Sequence, residues 1–252
     1  MKANRGGRRG GNTAMPTAQS GQKSTYEEFL SMDSQEQANV INNAYQTRTP
    51  SNLDNSDLQK VVYSLKMTDK PTMVDEATFD SLKGQTIYRT VHSAGTITSK
   101  GIYNQIANDD YTQYSGSGGS AYGRGIYFAD DLSESLCYRQ PGVDNTVMRA
   151  KITGGQTIST SQLRTMYSNA LRSGDPLATA CSRAQSADRT MIYALAKGYS
   201  AVTDSGGYRM ILNRGCLTMS STAKHVPTTR NTANGKSIYQ HSISWTDLKD
   251  KR

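Results

Sequence analysis

From Gly84 onward, the chain mixes two kinds of apolar pattern that do not alternate regularly. Runs rich in β-branched and aromatic residues predict strands at 86–91, 125–129, 146–152, 200–203, 208–212 and 216–219. Segments with helical spacing lie among them, at 97–107, 131–138, 161–171 and 177–196. A regular strand–helix alternation is typical of a doubly wound parallel sheet, and its absence here predicts an α+β fold.

The segment before Gly84 has a different texture. Helical spacing of apolar residues predicts two helices within 25–46, one near 58–65 and one near 75–82. Ser24 or Thr25 can cap the first of them. Residues 24–83 are therefore expected to form a small helical region, and they carry no recognisable chemical motif.

Basic residues are concentrated at the beginning of the chain. Of the net charge of +8, five charges precede the first acidic residue, on Lys2, Arg5, Arg8, Arg9 and Lys23. This Arg/Gly-rich composition cannot bury enough apolar surface to offset the entropy of ordering, so residues 1–23 are predicted to be a disordered arm. Such an arm can follow a nucleic-acid backbone by charge, or act as a solubilising tail or an anchor to an acidic partner.

Length and composition also restrict the classes of protein to which this chain can belong. A length of 252 residues fits one domain with a tail or at most two small domains. No run approaches the roughly 18 apolar residues of a membrane helix, and no apolar run follows the first residues as in a secretory signal. The three cysteines and three histidines are scattered, so reduced thiols and no metal site are expected. We expect a cytoplasmic protein with no membrane partner.

Two glycine-rich stretches invite a nucleotide-binding interpretation. Residues 118–125 have the glycine spacing of a Walker loop, but Arg124 replaces its lysine, Gly125 replaces its hydroxyl residue, and a predicted strand follows instead of a helix. Gly116-Ser117-Gly118 opens a near match to the dinucleotide fingerprint, but no convincing strand precedes it. Both interpretations are rejected.

The strongest motif is the run from Tyr122 to Tyr138, which reads YGRGIYFADDLSESLCY. It resembles the signature of the poly(ADP-ribose) polymerase branch of the ADP-ribosyltransferases, where a Gly-x-Gly-Ile-Tyr-Phe-Ala strand leads into a short helix. Counted from Tyr127, which would line the donor site, the resemblance implies that Ser135 hydrogen-bonds the nicotinamide amide and Tyr138 stacks on its ring. Independently, an aromatic ring and a hydroxyl three residues apart on one helix face can hold a flat aromatic amide. The alternative is that Tyr127 and Tyr138 are ordinary half-buried aromatics.

The same family carries a histidine–glycine pair, or in its toxin-like branch an arginine, on an earlier strand. Ile87-Tyr88-Arg89-Thr90 resembles the toxin-like form. The resemblance implies that Arg89 holds a phosphate or ribose of NAD and that the backbone of Thr90 holds the carboxamide. The planar guanidinium suits a phosphate better than a lysine does. A surface arginine on a strand is the alternative.

The late strand departs from the family pattern. Residues 208–215 are its best match, but Arg209 stands where the family has its catalytic glutamate, and no glutamate occurs after Glu134. The Leu-Asn-Arg ending of this strand resembles ADP-ribosyltransferase-like domains of bacteriophage and mobile-element proteins, which often lack the acid. Either Asp204 or Glu134 supplies the negative charge, or the fold binds NAD, ADP-ribose or nucleic acid without transfer.

The resemblance spans residues 84–220 and implies a split antiparallel sheet within a domain at 84–252. It implies a mono-ADP-ribosyltransferase that uses NAD as co-substrate, modifies a host protein or nucleic acid and releases nicotinamide. Arg89 and Tyr138 would be catalytic, and both would bind NAD together with Thr90, Tyr127 and Ser135. The alternative is a catalytically inactive virion or nucleic-acid-binding module. A phage-encoded protein of either kind would lie in the bacterial cytoplasm or the virion.

Overall fold

The computed structural model describes residues 25–46, 70–108, 125–184, 186–226 and 244–250. Its α-helices are α1 (Thr25–Ser31), α2 (Ser34–Gln46), α3 (Glu76–Ser81), α4 (Ser99–Ala107), α5 (Leu132–Leu136), α6 (Thr160–Arg172), α7 (Pro176–Cys181) and α8 (Ser186–Ala196). Its strands are β1 (Thr72–Val74), β2 (Ile87–His92), β3 (Ile126–Ala129), β4 (Asn145–Ile152), β5 (Gln156–Ser159), β6 (Tyr199–Thr203), β7 (Tyr208–Ile211), β8 (Leu217–Ser220), β9 (Lys224–His225) and β10 (Lys249–Asp250). The predicted α+β class is confirmed. The predicted basic arm, the helix near 58–65 and most of the glycine-rich residues 116–125 lie outside the described residues.

All ten strands belong to one mixed and mostly antiparallel sheet. The main path runs β1-β8-β4-β2-β3-β7-β6-β5, and β9 and β10 branch from β4. Only the β1–β8 and β5–β6 pairs are parallel among these strands. The sheet is open, since β1 and β5 at the two ends of this path do not pair with each other.

Strands β2 and β3 share fewer paired residues than any other neighbouring strands of the described sheet. Strand β2 pairs with β4 over its whole length, and β3 pairs with all of β7. Of the described residues, only Tyr88 and Ala129 form a ladder pair between β2 and β3. The sheet therefore consists of two well-paired halves that part beyond this one contact.

The N-terminal helices pack on the half of the sheet formed by β3, β7, β6 and β5. Phe29 of α1 and Ile41 of α2 are buried in the same core as Leu177 of α7 and Met210 of β7. The hydroxyl of Tyr26 donates a hydrogen bond of 2.8 Å to the backbone carbonyl of Leu195. Helices α1 and α2 therefore share their core with α6, α7 and α8.

Helices α4 and α5 cover opposite faces of the sheet near its opening. Ile87 and Val91 of β2 lie in one core cluster with Ile106 of α4. Tyr88, between them on the strand, packs with Leu136 of α5 in a different cluster. Because successive side chains of a strand point to opposite faces, α5 lies on the Tyr88 face and α4 on the other.

Most predicted elements are confirmed within a few residues. The helix predicted near 75–82 is α3, capped by the Asp75 side chain. The single helix predicted over 177–196 is two helices, because α7 ends at Cys181 with Ser182 as its C-cap. The short strands β1, β5, β9 and β10 were not predicted. No helix formed by the described residues is long and apolar enough to cross a membrane.

Candidate functional site

Helix α5 follows directly after β3 and is fixed at both ends. The carboxylate of Asp131 caps its first turn by accepting hydrogen bonds from the backbone N–H groups of Ser133 and Glu134. Leu132 and Leu136 are buried against Val147 of β4. The cap and these leucines hold α5 against β2, at the place where the sheet opens.

Two hydroxyl groups join α5 to β2. Thr90 Oγ1 lies 2.9 Å from Ser135 Oγ, and both residues are buried. The structure therefore brings together two residues that were predicted to hold the same carboxamide. Ser135 is only 1% exposed, so an amide that reaches its hydroxyl must join or displace Thr90.

Tyr138 lies beyond the helix that was predicted to carry it. Helix α5 ends at Leu136, and the N–H of Cys137 bonds to the carbonyl of Glu134 in a tight turn. Tyr138 is 55% exposed, whereas Ser135 is buried. The helix predicted over 131–138 therefore ends earlier than expected, so Tyr138 does not share a helix face with Ser135, whose side chain faces β2.

Tyr208 links Tyr138 to Glu134. The hydroxyl of Tyr138 donates to that of Tyr208 at 3.2 Å, and the hydroxyl of Tyr208 donates to Glu134 Oε1. The rings of the two tyrosines meet edge to face, with centroids 6.4 Å apart. The hydrogen bond to Glu134, followed by that with Tyr138, raises the pKa of Tyr208 well above its usual value. No motif in the sequence assigns a role to Tyr208, and its place before Arg209 on the late strand is the signal that could have pointed to it.

Arg89 spans the opening of the sheet. Its Nη1 donates a hydrogen bond of 2.8 Å to the backbone carbonyl of Tyr127 on β3. Arg89 alternates with Tyr88 and Thr90 along β2, so it lies on the face of α4 rather than that of α5. Its Nε is buried and has no hydrogen-bond partner in the described part of the chain. The ring of Tyr127 is half-buried against the core of α6, α7 and α8.

Arg209 forms an ion pair with an acid from the neighbouring strand. Its Nη2 lies 2.5 Å from Oδ2 of Asp130, the residue that follows β3, and both side chains are partly buried. In the sheet, Arg209 stands opposite Phe128. The acid at this place therefore comes from the end of β3, and the arginine from β7.

The two candidate acids have different surroundings. Asp204 lies in the turn between β6 and β7, where its carboxylate accepts from Thr160 Oγ1 at 3.0 Å and from the N–H of Gly206 at 2.8 Å. The N–H of Asp204 also bonds to the carbonyl of Tyr208. The structure thus brings Glu134, but not the carboxylate of Asp204, into the hydroxyl chain with Tyr138.

Metal ligation has no candidate site in the described ranges, where no group of three or more His, Cys, Asp or Glu side chains could hold an ion. Two of the three cysteines, Cys181 and Cys216, are buried, and burial raises the pKa of each thiol to about 12. These two thiols are therefore protonated and inert at neutral pH.

The arrangement combines groups that suit an aromatic amide joined to an anion. On the α5 face of the opening lie an exposed aromatic side chain, that of Tyr138, and a buried hydroxyl pair, Thr90 and Ser135. Arg89, whose buried Nε has no hydrogen-bond partner among the described residues, borders the opening from the α4 face. Comparison with known protein families, with curated proteins and with solved structures gives no match for this chain.

Proposed function

We propose that the chain is an NAD-dependent mono-ADP-ribosyltransferase whose donor site lies where β2 and β3 part. One observation carries the proposal: α5 sets Ser135 against Thr90 at the opening of the sheet, with Tyr138 exposed beside it. The ADP-ribosyltransferase-like sequence motif and this opening are independent features, and they coincide at the same residues.

The residues around Ser135 fit the nicotinamide end of NAD. More than half of Tyr138 is exposed, so its ring can stack on a flat ligand. A serine hydroxyl has one donor and two acceptor sites, so Ser135 keeps a site for an amide while it contacts Thr90. These side chains would hold nicotinamide by stacking and hydrogen bonding.

Arg89 fits the phosphate or ribose end. A guanidinium has five N–H donors, and Tyr127 takes one of them. The buried Nε of Arg89 has no acceptor among the described residues, and leaving such a donor unpaired costs about 1–3 kcal/mol. A phosphate or ribose oxygen would supply an acceptor.

Glu134 is our choice for the acid that the late strand lacks. Bound NAD would supply the ADP-ribosyl group, which passes to the acceptor as nicotinamide leaves the ribose anomeric carbon. A carboxylate near that carbon stabilises positive charge in the transition state by several kcal/mol. Glu134 meets this need better than Asp204, because its carboxylate joins Tyr138 through Tyr208, whereas that of Asp204 holds a turn.

The acceptor is a host protein or a nucleic acid. The basic segment at residues 1–23 would attract an acidic acceptor by charge.

The test is release of nicotinamide from NAD by the purified protein, with and without a cell lysate. We expect release that falls at least about tenfold in Arg89→Ala and in Glu134→Gln, the size of effect that loss of one charged transition-state contact produces. Arg172→Ala, which changes an exposed arginine on α6, is the matched control and should keep full activity. No release under any condition would refute the transferase.

A catalytically inactive virion or nucleic-acid-binding module is the second candidate, and Arg209 favours it. This arginine occupies the family's acid position and is neutralised by Asp130. The module predicts no thermal shift with NAD, and binding to DNA or RNA that weakens steeply with salt. Deleting residues 1–23 should abolish that binding, and unchanged binding would exclude the arm as the contact.

A further inference from the structure

We propose that Tyr208 is a positioning residue that holds the Tyr138 ring in place and connects it to Glu134. Its effect on NAD binding rests on the proposed function, whereas its effect on the Tyr138 ring is a property of the protein alone. Neither the sequence motif nor the resemblance assigns a role to this residue.

The hydroxyl of Tyr208 both accepts and donates a hydrogen bond. It accepts from Tyr138 at 3.2 Å and donates to Glu134 Oε1. A carboxylate can only accept hydrogen bonds, so the direction of this chain is set by its acidic end. Removing the Tyr208 hydroxyl breaks both links at once.

Tyr138 needs such support because its own element gives it little. It lies two residues beyond the end of α5, in a turn where its N–H bonds to the carbonyl of Ser135 at 3.2 Å. With 55% of the residue exposed, little packing restricts the ring. Its side-chain contacts with described residues include the hydroxyl bond and the edge-to-face contact with the Tyr208 ring.

Tyr208 is itself held firmly. It is the first residue of β7 and pairs with Ala129 of β3, so the sheet fixes its backbone. Its carbonyl accepts a hydrogen bond from the N–H of Asp204, across a turn in which Gly207 has a φ of +87°. Residues other than glycine rarely adopt this conformation, so Gly207 allows the tight turn that brings these two groups together. Because the sheet fixes Tyr208, the contacts of Tyr208 restrict the motion of the exposed Tyr138 ring.

The expected benefit is pre-organisation of the stacking ring. Fixing a mobile side chain on binding costs about 0.5–1.5 kcal/mol, which corresponds to about two- to tenfold in affinity. A ring that is already fixed avoids this loss. Tyr208→Phe should therefore weaken NAD binding by about two- to tenfold.

The first experiment needs no ligand. Tyrosine labelled with ¹³C in the ring is introduced, and the Tyr138 signals are identified by their loss in Tyr138→Phe. We expect the order parameter of the Tyr138 ring to fall in Tyr208→Phe. Tyr103→Phe, which removes a hydroxyl bond to Ser220 on the opposite face of the sheet, is the control and should leave it unchanged. An unchanged order parameter in Tyr208→Phe would overturn the proposal.

The second experiment is a double-mutant cycle on NAD affinity measured by calorimetry. If Tyr208 acts through Tyr138, Tyr208→Phe weakens binding in the native background but adds nothing to Tyr138→Ala. Equal losses in both backgrounds would contradict the proposal. Failure of the native protein to bind NAD refutes the proposed function instead, and the ring order parameter still decides the role of Tyr208.

Discussion

At the scale of single residues, the Thr90–Ser135 hydroxyl pair is the contact of the candidate site whose loss we expect to lower the stability of the fold. Both groups are buried, and each is the hydrogen-bond partner of the other across two elements. Thr90→Val keeps the shape of the side chain but leaves the Ser135 hydroxyl unpaired. We expect the free energy of unfolding to fall by about 1–3 kcal/mol, measured by urea denaturation. Thr165→Val, on an exposed part of α6, is the control and should change it by less than about 0.5 kcal/mol.

Tyr138 should affect binding far more than folding. Stacking on an aromatic side chain contributes about 1–3 kcal/mol, so Tyr138→Ala should weaken NAD binding about tenfold or more. The side chain is mostly exposed, so the urea midpoint should change little. Unchanged affinity in calorimetry would remove Tyr138 from the site.

At the scale of elements, α5 depends on its N-terminal cap. The hydrogen bond from the Ser133 hydroxyl, and those from the backbone N–H groups of Ser133 and Glu134, lower the pKa of Asp131 below its ordinary value of 3.8, although partial burial opposes them. The ionised carboxylate is therefore the form that stabilises the folded state. Its contribution is complete above the unfolded-state pKa and is lost as the pH falls through the lower folded-state pKa.

Asp131→Ala should consequently cost about 0.5–2 kcal/mol of unfolding free energy at pH 7, and progressively less as the pH falls through the folded-state pKa of Asp131. It should also weaken NAD binding, because the cap sets the position of α5. Asp75→Ala is the matched control: it removes the same kind of cap from α3, and the pKa of Asp75 is also lowered. It should show the same pH dependence of stability with NAD affinity unchanged. Equal effects of both variants on NAD affinity would separate α5 from the site.

At the scale of the whole molecule, Trp245 joins the segment 244–250 to the sheet. The guanidinium of Arg149 on β4 lies between two rings, 4.7 Å from the centroid of Phe79 and 4.5 Å from that of Trp245. The indole N–H of Trp245 donates a hydrogen bond of 2.7 Å to Glu76, which also forms an ion pair with Arg149. These contacts tie α3, β4 and the segment 244–250 into one unit.

Trp245→Ala should lower the free energy of unfolding by about 2–4 kcal/mol, because it removes a large ring and a partly desolvated cation–π contact. The measurement is urea denaturation followed by far-UV circular dichroism. Tryptophan fluorescence cannot follow unfolding of this variant, because Trp245 is the only tryptophan of the chain. Trp245→Phe keeps a ring over Arg149 and loses only the indole hydrogen bond, so it should cost less. Native stability in Trp245→Ala would show that the segment is not part of the cooperative unit.

The amino-acid sequence by itself determined the fold class and most of the elements around the candidate site. Strand β3 and helix α5 could be predicted because a β-branched and aromatic run and an aspartate cap are local signals, complete within a few residues. The short polar strand β5 gave no such signal, since it exists through a parallel pairing with β6. Local pattern also placed Tyr138 on α5, although that helix ends before it.

Only the tertiary structure decided which side chains meet. Tyr138 and Tyr208 are 70 positions apart, and no periodicity encodes their contact. The pairing of β3 with β7 and the position of α5 create that contact and also bring Arg209 to Asp130. Strand pairing over long sequence separations depends on burial and hydrogen bonding across the whole sheet. For this reason the sequence predicted which residues could form a site, while the sheet determined which of them make contact. It is Glu134, rather than Asp204, whose carboxylate is linked to Tyr138 through the hydroxyl of Tyr208.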